Sequence, residues 1–201
     1  MTVAGDLTAA RIVDAGRQLM MRRGYGGFSY ADVAEATDIR KASIHHHFPA
    51  KADLAIAVLQ QSRAMFDADM AALRAGGADD LAQLRAYIQH WERCIADDSA
   101  PFCVAGMLGA ELPVLPDEVA AEVRAHFANL TGWLEGVLES AAKGRRIKLA
   151  SPVQVEAATL VSVVYGAMLA ARAYGGAALF KAVSDGAIER LVVPRKNATS
   201  A

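Results

Sequence analysis

Residues 28–54, FSYADVAEATDIRKASIHHHFPAKADL, constrain this chain more than any other stretch of it. Ser29 followed by Asp32 is a helix-start pattern. It supplies a hydroxyl to cap a free N–H and a carboxylate in the first turn, against the positive helix end. Val33, Ala34 and Ala36 then make a small apolar face, which allows a second helix to cross close by. Thr37-Asp38 stops the helix, since Asp tolerates the left-handed conformation that a tight turn requires, and Ile39 plugs the turn from below. A second helix begins at Lys41, with Ile44 and Phe48 one turn apart on its inner face. Lys41, Ala42, Ser43, His45, His46 and His47 are left facing outward or sideways. Pro49 discourages helix at the residue before it, and Lys51 opens a third, longer helix.

Two short helices across a tight turn, the second studded with cationic and hydrogen-bonding side chains, suit one task. They present a recognition helix to the major groove of DNA while flanking groups hold phosphates. Charge agrees: residues 1–51 carry seven Arg or Lys against five Asp or Glu, and the remainder carries 14 against 17. The excess is small, so affinity is expected from focused contacts rather than from a broad basic surface. The expected DNA-contacting residues are Ser29, Arg40, Lys41, Ala42, Ser43, His45, His46, His47 and Lys51. Lys41 and Lys51 are expected to bracket the second helix as phosphate clamps.

RKASIHHHFPAKADL resembles the recognition helix and following helix start of the tetracycline-repressor (TetR/AcrR) family of bacterial transcription regulators. The family pattern runs roughly K-G-T-L-Y-x-H-F-x-S-K-x-x-L, and Lys41, His47, Phe48, Lys51 and Leu54 match it. Gly24-Tyr25, Phe28-Ser29 and Asp32-Val33-Ala34 also fit. Asp38 stands where the family often has Gly, Ala42-Ser43 replaces Gly-Thr, and His45 replaces the usual Tyr. The resemblance covers about the first quarter of the chain. It implies a homodimeric, one-component regulator, a repressor released from double-stranded operator DNA when a small effector binds the body. His47 is a phosphate contact by the same resemblance.

The remaining pattern is all-α. Leu7–Arg23 carries Ile12, Val13, Gly16, Leu19 and Met20 on one face and is closed by Gly24. Lys51 to about Ala75 reads as a connecting helix ended by Gly76-Gly77, and a further helix starts at Asp79 or Asp80. Asp97–Pro101 reads as a loop, then a short helix runs to Glu111 and breaks at Pro113–Pro116. Asp117–Ala142, a helix from Ser151-Pro152 to Tyr174, and a last one ending near Val193 complete the layout. No convincing strand pair is expected. The expected architecture is a three-helix helix-turn-helix head, residues 1–50, on a ligand-binding and dimerisation body of about six helices, 51–194, with a tail at 195–201.

Composition suits a cytoplasmic regulator: 54% hydrophobic residues lean on alanine, and the chain opens on a short polar stretch without a signal-peptide pattern. Ala157–Ala171 is the most apolar run and is too short to span a bilayer, so no membrane is expected. Two cysteines suggest free thiols. Gly166, Ala167, Ala170, Ala171 and Ala173 are small residues on an apolar helix and are expected at the dimer interface, where the resemblance implies four packed helices.

Several residues invite sharper readings. Three consecutive histidines point about 100° apart on a helix, so His45, His46 and His47 cannot converge on one metal ion. Pro101 at the first helical position would place Cys103 in a first turn, where a helix dipole favours thiolate, with Cys94 a short loop away. An electrophile- or redox-sensing repressor acting through Cys103 is therefore the alternative mechanism, although a buried cysteine is an ordinary apolar filler. The resemblance implies an effector pocket, for which Tyr87, Trp91, Cys103, Met107, Phe127 and Tyr165 are candidates; Phe102 and Trp133 could line the same cavity, and these residues would equally fill a core. No catalytic residues, metal site or cofactor are expected, and an enzyme would have to rest on Cys103 with a distant His126.

Overall fold

The computed structural model describes residues 3–193, so the tail at 195–201 lies outside the described residues. Within these the chain is all-α. The helices are α1 (Val3–Arg23), α2 (Tyr30–Thr37), α3 (Lys41–His47), α4 (Lys51–Ala75), α5 (Asp80–Ala96), α6 (Val104–Gly109), α7 (Asp117–Lys143), α8 (Val153–Tyr174) and α9 (Ala177–Glu189). A single 3-10 turn, Leu112–Val114, precedes α7. Helix ends follow local chemistry. Gly77 and Gly175 adopt positive φ of 82° and 79° at the exits of α4 and α8, as glycine does at helix C-termini. One feature escaped the sequence pattern: Ile147 and Val192 form an isolated antiparallel bridge.

Packing divides the chain into two compact units, and the division does not fall at residue 50. One unit holds the chain up to Ala71 together with Asp97–Asn129, and the other holds Ala72–Ala96 together with the chain from Leu130 onward. The expected head therefore shares its unit with most of α4 and with the segment from Asp97 into α7.

In the first unit, Ile12, Met20, Val33, Ile44, Leu54 and Leu59 are fully buried. Gly16 sits where an added Cβ would lie 3.1 Å from Leu54, so its small size sets the approach of α1 to α4. Polar contacts join α4 to α7 in this unit. Gln60 donates to Glu122 at 2.9 Å, Arg63 pairs with Glu122 at 2.9 Å, and Asn129 donates to Asp67 at 2.7 Å. The bond from Gln60 first, and then Arg63, hold the Glu122 carboxyl below its ordinary range against the opposing effect of burial. In the second unit, α9 packs on both α5 and α8, around Leu84, Ile88, Leu138, Met168, Phe180 and Ile188.

Candidate nucleic-acid interface

The turn between α2 and α3 is built as its residues dictate. Ser29 is the N-cap of α2; its hydroxyl accepts from the Ala31 N–H at 3.2 Å and donates to Asp32 at 2.7 Å, and Asp32 accepts from the Ser29 N–H at 2.7 Å. These bonds hold the Asp32 carboxyl below its usual range. Asp38 takes the left-handed conformation, φ 54° and ψ 35°. The Arg11 guanidinium of α1 donates to the Thr37 carbonyl and satisfies the exit of α2, a cap with no local sequence signature. Tyr30 is buried, and its hydroxyl reaches the carbonyls of Phe48 at 2.8 Å and Ala50 at 2.7 Å. That contact fixes the end of α3 against α2.

With Ile44 buried, α3 has a defined outward face. Lys41, Ala42, His45 and His46 are exposed, Ser43 and His47 half-buried at its flanks, and Arg40 exposed at its entry. His45 lies edge-on to the Tyr30 ring, centroids 4.7 Å apart, and the His46 and His47 rings lie 5.6 Å apart.

Two of the residues expected to contact DNA also make bonds inside the chain. The Lys51 ammonium donates to the Phe28 carbonyl and lies 4.1 Å from the Phe28 ring centroid and 4.8 Å from that of Tyr25. Burial pushes its pKa down, with Glu111 and Asp32 opposing the shift. As placed it straps the loop before α2 to the start of α4. The Ser29 hydroxyl is likewise occupied by the α2 cap in both its donor and acceptor roles.

The segment before α7 contributes residues that sequence reasoning missed. Glu111 accepts from the backbone N–H groups of Tyr25, at 3.0 and 3.1 Å, and Gly26, at 3.3 Å. Gly24 has φ +74°, and a Cβ there would stand 1.8 Å from a Glu111 carboxylate oxygen. Both the backbone conformation and the close approach demand glycine. Arg22 donates to the Asp98 carboxylate at 2.8 Å and its carbonyl at 2.9 Å, and Gln18 to the Ser99 carbonyl at 3.1 Å. The end of α1 is thus bonded to a segment more than 70 residues away, which no local pattern encodes.

Comparison with known proteins agrees with this geometry. The model of bacterial regulatory proteins of the tetR family matches residues 12–58, and that of the tetracyclin repressor-like C-terminal domain matches residues 81–186. The chain belongs to the TetR family of bacterial transcription regulators. A TetR-family regulator from Agrobacterium tumefaciens superposes with a TM-score of 0.91 at 45% identity, covering 94% of this chain and 100% of that one. The transcriptional regulator AcuR of Cereibacter sphaeroides is 29% identical over 119 residues, 58% of this chain and 54% of that protein. The HTH-type regulator RutR of Escherichia coli K12 is 29% identical over 131 residues, 62% of this chain and 60% of that protein. The matches thus span little more than half the length of these two curated relatives.

In this TetR-family chain the candidate pocket residues divide between the units: Cys103, Met107 and Phe127 in the first, Tyr87, Trp91 and Tyr165 in the second. The Tyr87 and Trp133 rings meet edge-on at 5.7 Å. Neither cysteine is in a disulfide. The expectation for Cys103 needs correcting, because α6 begins at Val104. Cys103 is its N-cap and Pro101 lies outside it, so the thiol is not in a first helical turn. It is 3% exposed. Nor is His126 distant: its Nε2 lies 3.8 Å from the Cys103 sulfur. Cys94 makes a comparable 3.7 Å contact with His90.

The expected dimer residues also separate. Ala167 and Ala171 are buried in the chain's own core, Gly166 and Ala173 are exposed, and Ala170 is half-buried. The exposed flank of α8 instead carries Val155 and Leu169, with a shallow open groove along Val155, Ala158, Thr159, Ser162 and Val163. Helix formation extends beyond the apolar run at 157–171. By length and composition alone, the whole of α8, Val153–Tyr174, is long and apolar enough to cross a membrane.

Proposed function

We propose that this chain is a homodimeric, one-component repressor that binds double-stranded operator DNA through the outward face of α3 and is released by a small effector in its body. The observation that carries the reading is the α3 face itself. Lys41, Ala42, His45 and His46 are presented to solvent by a helix anchored through buried Ile44 and the Tyr30 hydroxyl. An ammonium on the rim suits a phosphate, imidazole edges suit bases, and the Ala42 methyl suits a thymine methyl. His47 and Arg40 are assigned to backbone contact.

The dimer is assigned to the exposed flank of α8, with Gly166, Leu169, Ala170 and Ala173, and to Leu179 and Val183 on α9. An apolar helix flank open to water favours a second apolar flank, and a two-fold assembly matches a palindromic operator. The family and this flank support a cytoplasmic, helix-paired protein over a membrane span. Candidate effector contacts are Cys103, Met107 and Phe127 within the first unit and, separately, Tyr87, Trp91 and Tyr165 within the second. Release works by differential affinity for two states of the body. The polar contacts of Glu111, Asp98 and Ser99 with the end of α1 support a motion in which the head and the segment from Asp97 travel together with α4, changing the separation of the two recognition helices.

A gel shift with the DNA upstream of the chain's own gene tests the central reading. Retardation that an excess of random duplex does not abolish supports it, and no retardation at low salt contradicts it.

A second reading rests on the Cys103–His126 contact, since an imidazole at 3.8 Å can take a thiol proton and assist electrophile capture. It requires Cys103 to react with a maleimide in the folded, DNA-bound protein and Cys103→Ser to stay bound when the wild type is released. The burial of Cys103 favours core packing, and an enzyme built on the pair would need substrate access that this burial opposes.

A further inference from the structure

Of the three consecutive imidazoles on α3, His45 is held so that one ring nitrogen is committed. Its Nδ1 lies 3.4 Å from the Pro49 carbonyl oxygen, and its ring rests edge-on against Tyr30. A carbonyl oxygen has no proton to donate, so a hydrogen bond there places the N–H on Nδ1. In the neutral ring Nε2 is then a bare acceptor on an exposed residue. Adding a proton turns Nε2 into a donor while the Pro49 contact stays intact. Imidazole is the side chain that undergoes this change between pH 5 and 8.

Resting on the reading of α3 as the DNA-contacting helix, we propose that His45 reads a base edge through Nε2 and that its proton sets the sense of the bond. As an acceptor, above neutrality, it matches the exocyclic amino group of adenine or cytosine. As a donor, below neutrality, it matches O6 or N7 of guanine, N7 of adenine or O4 of thymine, and no longer matches the amino group of cytosine. The protein is then a proton-linked reader whose preferred operator base changes with pH.

The groups around His45 set the direction of the linkage. From α2 comes Tyr30, whose hydroxyl is pushed up to about 12 by burial and so stays neutral across this range. From the loop comes the Pro49 carbonyl. At the start of α4 stands the Asp53 carboxylate, engaged by the Ala50 N–H at 2.8 Å. On α3 itself stand Lys41 one turn back and His46 and His47 beyond. DNA phosphates favour a proton on the imidazole in the complex. Affinity therefore rises as pH falls, by roughly tenfold for each imidazole whose proton affinity rises by one pH unit on DNA.

The test is selection from a randomised duplex library by the full chain at about pH 8 and about pH 6, within the range in which imidazole titrates, at constant ionic strength. Wild type should admit adenine or cytosine at one position of each half-site at the higher pH, and at the lower pH lose cytosine there and admit guanine or thymine. His45→Gln should select one base at both, with a shallower rise of affinity. His45→Phe, which keeps a ring against Tyr30 but has no nitrogen, should also lose the change. His46→Gln should flatten the rise without altering the base selected. An identical preference at both pH values in the wild type, or a change that survives in either His45 variant, overturns the inference alone. Failure to enrich any duplex at either pH overturns the DNA-binding reading and this inference with it.

Discussion

The outward faces of α3 and α8 are both open to solvent in a single chain, and their chemistry differs in kind. Around α3 the exposed residues are Lys41, Ala42, His45 and His46, with Arg40 at the entry. Along α8 they include Val155, Gly166, Leu169 and Ala173, and Leu169 is 60% exposed. The first face is built for a polyanion with hydrogen-bonding edges, where charge supplies affinity and groove edges supply specificity. The second gains from exclusion of water against another apolar helix. The inner faces differ much less, since Ile44 and Ala167 are both core. What distinguishes the two helices is therefore the partner each still lacks, and each can be disabled separately.

The largest effect is expected on α8. Leu169→Glu would place an unpaired charge in the helix–helix contact and cost several kcal/mol of dimer stability. Sedimentation should show folded monomers, and tight operator binding should vanish because one head reaches only a half-site. Ala171→Glu, on the buried side of the same helix, should instead abolish the cooperative folding transition. A stable dimer of the Leu169 variant would move the interface elsewhere.

A smaller effect sharpens the account of α3. Lys51→Ala removes the ammonium from the Phe28 carbonyl and two ring faces, a loss of about 1–2 kcal/mol in folding stability. Denaturation should register that loss, while the slope of log affinity against log salt stays as in wild type. An unaltered stability with a slope reduced by about one would make Lys51 a phosphate clamp.

The smallest effect concerns the support beneath the recognition helix. The folded pKa of Tyr30 is raised to about 12 from an ordinary 10, chiefly by burial and then by Asp53. The phenol thus holds its proton more tightly folded than unfolded. Its stabilising contribution is complete below about pH 10 and is lost as pH rises through about 12. Tyr30→Phe should cost about 1 kcal/mol at neutral pH and remove that share of the alkaline decline. A wild-type-minus-variant phenolate titration centred near the ordinary value would contradict the placement of Tyr30.

The contrast between the helices also marks where sequence was informative. The Ser29–Asp32 capping box, the left-handed Asp38 and the bounds of α4 were legible because each depends on residues within one or two turns. The outward face of α3 followed from Ile44 and Phe48, one turn apart on its inner side; Ile44 is buried and Phe48 half-buried. The intrachain contacts of Lys51 were not legible, because they come from Tyr25 and Phe28, which sequence spacing does not bring near. Glu111 carried no signal at all: its partners are backbone N–H groups 85 and 86 residues away. Small residues on α8 could not show which face they line, because alanine is equally at home in a core and in a helix pair. The start of α6 was displaced because Cys103, a residue with no capping oxygen, occupies its N-cap.

The most direct measurement is duplex-DNA binding, across a salt series, by wild type and by the double variant Lys41→Glu, His46→Glu, using the DNA upstream of the gene. Both substitutions lie on the exposed face of α3 and touch neither Ile44 nor α8. Wild type is expected to bind with an affinity that falls steeply with salt. The variant should keep the same helicity and the same sedimentation as the wild type and lose that binding altogether. A variant that still binds this DNA as tightly as the wild type, at every salt concentration, would contradict the assignment of α3 as the helix that meets DNA.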